Sequence, residues 1–304
     1  MGQIAFVFSG QGAQYSGMGR SLCDVSAAAR SVFELADRIR PGTSRQCFEG
    51  SKEELTVTSN TQPCLYCVDL AAARALVEAG ITPSAVAGFS LGEIAALTFA
   101  GGADPEDGFS IVCRRGERMQ AAAEQADAAM AAVVKLPNET VEELCSRYAA
   151  VYPVNYNCPG QLVVAGEKAQ LEHLKEDIKA AGGRMIPLAV GGGFHSPFMA
   201  PAAAAFEQDL QAFSLRQPVI PLYANYTTEP YAGDIGKLLV SQMQHPVRWQ
   251  TTVEHMLAAG IDTFVEVGPG KTLCGLIAKI APGTRTYAVE DAATLESTLA
   301  GLKG

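Results

Sequence analysis

Basic residues and long apolar runs are both scarce in this sequence of 304 residues. Its 23 lysines and arginines are outnumbered by 32 aspartates and glutamates, for a net charge of −9. Clustered basic side chains bind phosphate backbones, so no nucleic-acid partner is expected. No apolar run approaches the roughly 20 residues that span a bilayer, so no membrane partner is expected either. The N-terminus leads directly into an apolar strand pattern without a signal segment, which predicts a cytoplasmic protein.

Metal-ligand spacing is almost absent among the eight cysteines. Cys64 and Cys67 form one Cys-x-x-Cys, but it lies in an apolar helical run and no second pair supplies further zinc ligands. We interpret both residues as core packing in a reduced protein, and we expect neither a metal nor a cofactor.

One pentapeptide points to chemistry. Gly88–Gly92 reads Gly-Phe-Ser-Leu-Gly and stands between a short apolar strand pattern and a helical one. This arrangement is typical of a nucleophile elbow, in which a tight turn exposes the serine at a helix N-terminus. A plain strand–helix turn with a capping serine is the alternative. The strand and helix on either side favour Ser90 as a nucleophile.

An activated serine needs a base, and the sequence offers only four histidines. His173 and His255 lie within amphipathic helical patterns that predict surface positions, and His245 precedes a proline. His195 follows three glycines at the end of a predicted strand, where functional groups are often placed. His195 is therefore the best candidate base.

Two glycine-rich segments could instead bind phosphate. In Ser9–Gln14 the dinucleotide pattern fails because Tyr15 stands where the third glycine belongs. The Gly-Lys-Thr at 270–272 lacks the first glycine of a Walker loop, since that position is Val265. The first segment is better suited to offering a backbone N–H to a developing oxyanion.

The order of predicted elements indicates an α/β fold with an insertion. Residues 126–190 predict strand–helix–strand–strand–helix–strand, as in a ferredoxin-like module, with Asn138 capping its first helix. We interpret residues 1–125 and 191–304 as one catalytic unit interrupted by residues 126–190. Further predicted elements are strands over 3–8, 184–190 and 219–224 and helices over 106–125, 201–213 and 246–259, and Pro105 starts the first of these helices.

Most arginines on helices are solvated, but Arg115 follows an apolar run and precedes Gly116, which permits close approach of another element. Together these residues predict a serine acyl-transfer enzyme with a base and an oxyanion hole. They do not choose the acyl group.

Five segments, in order along the whole chain, resemble the malonyl-CoA:acyl carrier protein transacylase family, which includes acyltransferase domains of polyketide synthases. They are 10–14, 88–93, 115–120, 194–196 and 266–271. The resemblance implies an α/β-hydrolase-like core with a short parallel sheet and the inserted ferredoxin-like subdomain. It also implies ping-pong transfer of malonyl from malonyl-CoA, through a malonyl-serine, to the phosphopantetheine thiol of an acyl carrier protein in fatty-acid or polyketide biosynthesis.

The resemblance further implies roles for individual residues. Ser90 would attack the thioester, and His195 would take its proton. The catalytic set is completed by Gln11 and Leu91, whose N–H groups would form the oxyanion hole, and by Gln242, which would help orient the histidine without a triad aspartate. Arg115 would bind the malonyl carboxylate in a two-pronged contact, and the substrate pocket would include Met119 and Phe194.

In the polyketide synthase members of the family, phenylalanine before the histidine and an aliphatic residue after the serine accompany malonyl rather than methylmalonyl. Phe194 and Leu91 fit this pattern, so the resemblance implies malonyl as the substrate. One position departs from the family pattern, because Phe89 stands where histidine is usual. The alternatives are a polyketide acyltransferase acting in trans with another acyl-CoA preference, a serine thioesterase or esterase, and a non-catalytic protein that only docks the carrier.

Overall fold

The computed structural model describes residues 2–303, and its largest sheet is parallel. The apolar run at the N-terminus forms the central strand, because a strand buried on both faces needs apolar side chains on both. The spatial order is β7-β2-β1-β8-β9, and all neighbours are parallel. The strands are β1 (Gln3–Phe8), β2 (Ala85–Gly88), β7 (Leu222–Tyr223), β8 (Ile261–Val267) and β9 (Arg285–Val289).

A smaller antiparallel sheet forms from the middle of the chain. Its spatial order is β4-β5-β3-β6, and its chain order with two helices is β3-α8-β4-β5-α9-β6. The elements are β3 (Ala128–Val134), α8 (Asn138–Cys145), β4 (Val151–Cys158), β5 (Gln161–Glu167), α9 (Lys168–Ala180) and β6 (Arg184–Pro187). The predicted α/β class is therefore confirmed as a parallel sheet accompanied by a small antiparallel one.

The remaining helices surround the parallel sheet. They are α1 (Arg20–Val25), α2 (Ala27–Ile39), α3 (Thr43–Glu49), α4 (Lys52–Thr56), α5 (Thr58–Glu78), α6 (Gly92–Phe99), α7 (Pro105–Gln125), α10 (Ala200–Leu210), α11 (Ile235–Gln244), α12 (Trp249–Ala258), α13 (Thr272–Ile280) and α14 (Ala292–Lys303). None of the helices within residues 2–303 is long and apolar enough to cross a bilayer.

Helix α5 is buried around most of its circumference and packs against α7, α2 and α6. Cys64 and Cys67 lie on it as buried free thiols, as the core-packing interpretation predicted. The prediction for Gly116 is also confirmed. A Cβ there would lie 3.2 Å from the Ser59 Cα, so the glycine lets α7 approach α5 closely.

Main-chain hydrogen bonds join β4 of the small sheet to the segment between α11 and α12. The Val247 N–H donates to the Val154 carbonyl at 2.8 Å, and the Tyr156 N–H donates to the Val247 carbonyl at 2.9 Å. The helix predicted over 246–259 therefore begins only at Trp249, because the preceding residues are extended along β4.

Several other predicted boundaries were wrong. Asn138 is the first residue of α8 rather than its cap, and no side chain caps that helix. The strand predicted over 184–190 ends at Pro187, the strand over 219–224 is reduced to Leu222–Tyr223, and the helix over 201–213 ends at Leu210. The two strands are shorter because only these residues find pairing partners, and the apolar side chains next to them pack from irregular backbone.

Candidate active site

The strand–turn–helix predicted around Ser90 is present. β2 ends at Gly88, α6 begins at Gly92, and Ser90 between them has a φ of 55°. A Cβ on Gly88 would lie 2.0 Å from the Gly92 carbonyl carbon, and a Cβ on Gly92 would lie 2.4 Å from the Ser9 carbonyl oxygen. The turn thus requires both glycines and holds the serine in the left-handed region, where non-glycine residues are strained.

His195 meets Ser90 across 105 positions of sequence. The Ser90 Oγ lies 2.7 Å from the His195 Nε2. The other ring nitrogen, Nδ1, lies 2.8 Å from the main-chain carbonyl oxygen of Gln242, which can only accept a hydrogen bond. The proton therefore belongs on Nδ1, and Nε2 presents its lone pair to the hydroxyl.

Burial and the nearby Arg115 guanidinium lower the pKa of His195 to about 4. The imidazole is 3% exposed and is neutral at pH 7, as a general base must be before it accepts a proton. Its φ of 59° is also in the left-handed region, so the glycine-rich approach delivers the ring through a strained residue.

Arg115 lies on α7 and is fully buried against the nucleophile. Its Nη2 donates to the Gln242 Oε1 at 2.8 Å and lies 3.3 Å from the Ser90 Oγ, while its Nη1 donates to the Gln62 Oε1 at 2.9 Å. Burial lowers its pKa to about 10, so it keeps its charge at pH 7. Its Nε is buried and has no hydrogen-bond partner within residues 2–303. A buried cation with a free donor beside a nucleophile can hold an anionic substrate group.

Residues 5–294 match the acyl transferase domain family. The chain belongs to this acyltransferase family. Its relatives include the malonyl CoA-acyl carrier protein transacylase of Bacillus subtilis (strain 168), with 38% identity covering 100% of this chain and 98% of the relative. The resemblance to that family, which the sequence motifs indicated, is confirmed.

Solved structures agree with this membership. The malonyl CoA-acyl carrier protein transacylase from Clostridium perfringens superposes with a TM-score of 0.96 at 36% identity, covering 99% of this chain and 97% of that one. A malonyl-transacylase solved in complex with a type II PKS acyl-carrier protein superposes with a TM-score of 0.94 at 36% identity, covering 98% and 99%.

Gln11 and Leu91 reach the same edge of the acyltransferase sheet by different routes. Gln11 follows β1 and Leu91 follows β2, and these strands are parallel neighbours, so their carboxyl ends meet. Within residues 2–303 no hydrogen bond uses the main-chain N–H of either residue. Leu91 is also the N-cap of α6, where N–H groups point away from the helix.

Met119 and Phe194, the two residues predicted to line the substrate pocket, are both buried but differ in their contacts. The Met119 Sδ accepts a hydrogen bond from the Gln62 Nε2 at 3.3 Å, so Met119 touches the residue that holds Arg115. Phe194 directly precedes His195 and is 5% exposed.

A polar network beneath the serine was not predicted from the sequence. The Glu93 carboxylate is fully buried and accepts a hydrogen bond from the Gln242 Nε2 at 3.0 Å. Asn225 and Tyr231 complete the network from the segment that follows β7. Glu93 was visible as the residue that ends the elbow motif, whereas no pattern in the sequence marks the other two.

A cavity of about 250 Å³ is lined by residues of both sheets and by Gln11 and Phe89, which follow β1 and β2. Three buried oxygen atoms of its lining residues have no hydrogen-bond partner within residues 2–303: Asn155 Oδ1, Asn157 Oδ1 and Glu266 Oε1. Phe89, which replaces the usual histidine, packs edge-on against Trp249 with ring centroids 5.6 Å apart. Three lining residues thus carry buried acceptors without a partner, and Phe89, next to Ser90 in the chain, contributes an aromatic ring to the lining.

Proposed function

We propose that this acyltransferase moves a malonyl group from malonyl-CoA to the phosphopantetheine thiol of an acyl carrier protein, through a malonyl-serine at Ser90. The observation that carries the proposal is the Arg115 guanidinium, buried 3.3 Å from the Ser90 hydroxyl. A hydrolase or transferase of neutral acyl groups gains nothing from a desolvated cation at this place, since its burial costs free energy.

In the first half-reaction His195 acts as general base. Its Nε2 takes the hydroxyl proton as the Ser90 Oγ bonds to the thioester carbon. The C–S bond then breaks, and the proton passes to the leaving thiolate of CoA. The Gln242 carbonyl stabilises the imidazolium that forms in between, because it accepts from Nδ1 at 2.8 Å. A main-chain carbonyl thus takes the part that a carboxylate has in many serine enzymes.

The oxyanion of the tetrahedral intermediate is stabilised by the N–H groups of Gln11 and Leu91. Support comes from their shared sheet edge and from the absence of other partners for these N–H groups within the described residues. Each such donor typically lowers the barrier by about 3 kcal/mol.

The free carboxylate of the malonyl group binds Arg115. Each Nη atom already donates one hydrogen bond to a side-chain amide oxygen, of Gln62 or of Gln242. The Nε has no partner within the described residues and is a further donor for a carboxylate oxygen. Gln62 and Gln242 hold the fork in place, and Met119 supports Gln62. Charge-assisted, two-pronged contacts of this kind are strong and geometrically selective.

Phe194 limits the size of the acyl group. Phe194 directly precedes His195 in the chain and its ring is buried, so the proposal places this ring where a methyl branch on the malonyl carbon would need space. A pocket of this kind discriminates one methyl group by about 1–3 kcal/mol.

In the second half-reaction the carrier thiol attacks the carbonyl of the malonyl-serine, and His195 takes the thiol proton. The bond between the ester carbon and the Ser90 Oγ then breaks, and the proton returns to the serine oxygen. We assign the cavity lined by Gln11 and Phe89 to the pantetheine arm. The arm carries two amide N–H donors, and the unpartnered oxygens of Asn155, Asn157 and Glu266 are acceptors.

The two sheets correspond to the two proposed subdomains. Residues 1–125 and 191–304 form an α/β-hydrolase-like catalytic subdomain, and residues 126–190 form an inserted ferredoxin-like one. The second assignment is supported by the spatial order β4-β5-β3-β6 and by the positions of the two helices. In chain order a helix follows the first strand, β3, and the third strand, β5.

The proposal is tested by brief exposure to malonyl-CoA followed by mass spectrometry, with Ser90→Ala as the control. We expect a malonyl adduct on Ser90 and turnover only when a carrier protein or another thiol is added. Release of malonate at one rate with and without the carrier indicates a thioesterase instead. Absence of any adduct indicates a non-catalytic docking protein.

A further inference from the structure

The candidate site contains a buried carboxylate that no step of the proposed mechanism uses. Glu93 is the second residue of α6 and is fully buried. Its Oε2 accepts from the Asn225 main-chain N–H at 2.9 Å and from the Gln242 Nε2 at 3.0 Å, and its Oε1 accepts from the Tyr231 hydroxyl. Three donors from outside its own helix therefore converge on one side chain.

Two of these donor residues also hold the strained backbone of Ser90. The Asn225 Oδ1 accepts from the Ser90 N–H at 2.7 Å, and the Gln242 Nε2 donates to the Ser90 carbonyl oxygen at 2.7 Å. A serine with a φ of 55° persists only where its surroundings over-determine it. The two side-chain amides supply that restraint, and Glu93 anchors the Gln242 amide directly and Asn225 through its main-chain N–H.

Gln242 carries the same restraint to the other two functional side chains. Its main-chain carbonyl accepts from the His195 Nδ1, and its side-chain Oε1 accepts from the Arg115 Nη2 at 2.8 Å. The link to His195 runs through main chain that α11 holds in any case. The link to Arg115 runs through a side-chain amide whose other end depends on Glu93.

We propose that Glu93 is a positioning residue of the acyl-transfer site, acting through Gln242 to aim Arg115 and through Asn225 and Gln242 to hold the Ser90 turn. This inference rests on the proposed function, because its readout uses the pairing of Arg115 with the substrate carboxylate. What matters is an acceptor at the position of Oε2 rather than the charge.

The surroundings of Glu93 tolerate either charge state. The Tyr231 hydroxyl donates to a carboxylate and can accept from a protonated acid or an amide, so Oε2 remains an acceptor in both cases. A glutamine at position 93 keeps this reach without the charge. An aspartate keeps the charge but is one methylene too short.

The test compares Glu93→Asp with Glu93→Gln in single-turnover acylation of Ser90 by malonyl-CoA and by acetyl-CoA, which lacks the free carboxylate. For Glu93→Asp we expect malonyl transfer to fall about 100-fold, the usual cost of a misplacement near 1 Å, and acetyl transfer about tenfold. The ratio of the two rates therefore drops about tenfold. Glu93→Gln keeps the ratio within about threefold of the wild-type value.

Asp69→Asn is the matched control. Asp69 is another fully buried carboxyl group, it lies on α5, and it accepts from the Ser9 hydroxyl at 2.7 Å. We expect this variant to lose thermal stability without a change in the ratio of malonyl to acetyl transfer rates. Thermal unfolding of every variant checks that each one is folded.

Equal losses with both substrates in Glu93→Asp show a purely structural role and overturn the proposal. A ratio in Glu93→Gln that falls as far as in Glu93→Asp overturns it too, since charge then matters. A wild-type protein without any preference for malonyl contradicts the proposed function instead. The Glu93 proposal is then decided by acetyl transfer alone, which Glu93→Asp must slow and Glu93→Gln must preserve.

Discussion

The Arg115 Nη2 and the Ser90 Oγ lie 3.3 Å apart, so a cation and a nucleophile face the same small volume. In a malonyl ester on Ser90, a single methylene separates the ester carbon from the free carboxylate. The short distance suits an acyl group of this length, because one end bonds to the serine while the other reaches the guanidinium. The first prediction follows from this pair.

Arg115→Ala should lower kcat/KM for malonyl-CoA by about 100-fold or more, because a buried charge-assisted pair contributes roughly 3 kcal/mol. Acetyl transfer should fall much less. Arg118→Ala is the matched control, since Arg118 lies three residues further along α7 and pairs at the surface with Asp209 at 2.7 Å. Equal losses in the two variants in single-turnover acylation of Ser90 by malonyl-CoA, which needs no carrier protein, contradict the assignment.

The pH dependence of Ser90 acylation reports on His195. Burial, followed by the Arg115 charge, lowers the pKa of this imidazole to about 4, so the base is unprotonated over the neutral range. We expect acylation rates to be flat from about pH 5 to about pH 8 and to fall below about pH 4. In Arg115→Ala the acid limb should move to higher pH, measured with acetyl-CoA. A wild-type limb near pH 6.5 is the result that contradicts this prediction.

The stability of the protein should depend on pH through Glu93. Burial raises the pKa of this carboxyl from 4.5 to about 7, so the native state holds a proton that the unfolded chain releases within this window. The stability associated with the raised pKa is complete below about pH 4.5 and is lost as the pH rises through about 7.

The comparison is with Glu93→Gln, which cannot titrate. The free energy of unfolding of the wild type, relative to this variant, should fall by roughly 3 kcal/mol between pH 4.5 and 7.5. Denaturant unfolding at several pH values measures this difference. A difference that stays constant across the window contradicts the prediction.

Phe89→His restores the residue usual in the family at this position. The proposed base is His195, and Phe89 contributes an aromatic contact with Trp249, so we expect the transfer rate to change by less than about tenfold. Steady-state transfer to a carrier protein measures it. Complete loss of activity, or a gain of several orders of magnitude, shows that position 89 takes part in the chemistry.

Phe194→Ala should relax the selection against branched substrates. Removing the buried ring opens space for a methyl group, and the preference for malonyl-CoA over methylmalonyl-CoA should fall by about 10–100-fold. Competition between the two thioesters for Ser90, read by mass spectrometry, gives the ratio directly. An unchanged ratio places the selecting contact elsewhere.

Local patterns were sufficient for the elements next to the chemistry. Gln3–Phe8, the elbow around Ser90 and the helix that carries Arg115 all formed close to where they were expected. Each depends mainly on its own residues: a continuous apolar run, two glycines about a turn, or a proline at the start of a helix. Short elements such as Leu222–Tyr223 were overestimated, because their length is set by pairing partners rather than by composition.

The sequence by itself determined the chemical types present: a serine in a strained turn, a histidine behind glycines, and an arginine beside an apolar run. Only the tertiary structure decided that a main-chain carbonyl of Gln242 accepts from His195, and that Glu93 accepts from the Gln242 side chain that bonds to Ser90. These hydrogen bonds join His195 to Gln242 and Glu93 to Gln242, which are 47 and 149 positions apart in the sequence. Hydrogen bonds between residues so far apart in the sequence depend on how helices and strands pack. A carbonyl group is identical in every residue, so no sequence pattern can mark the one that orients the base.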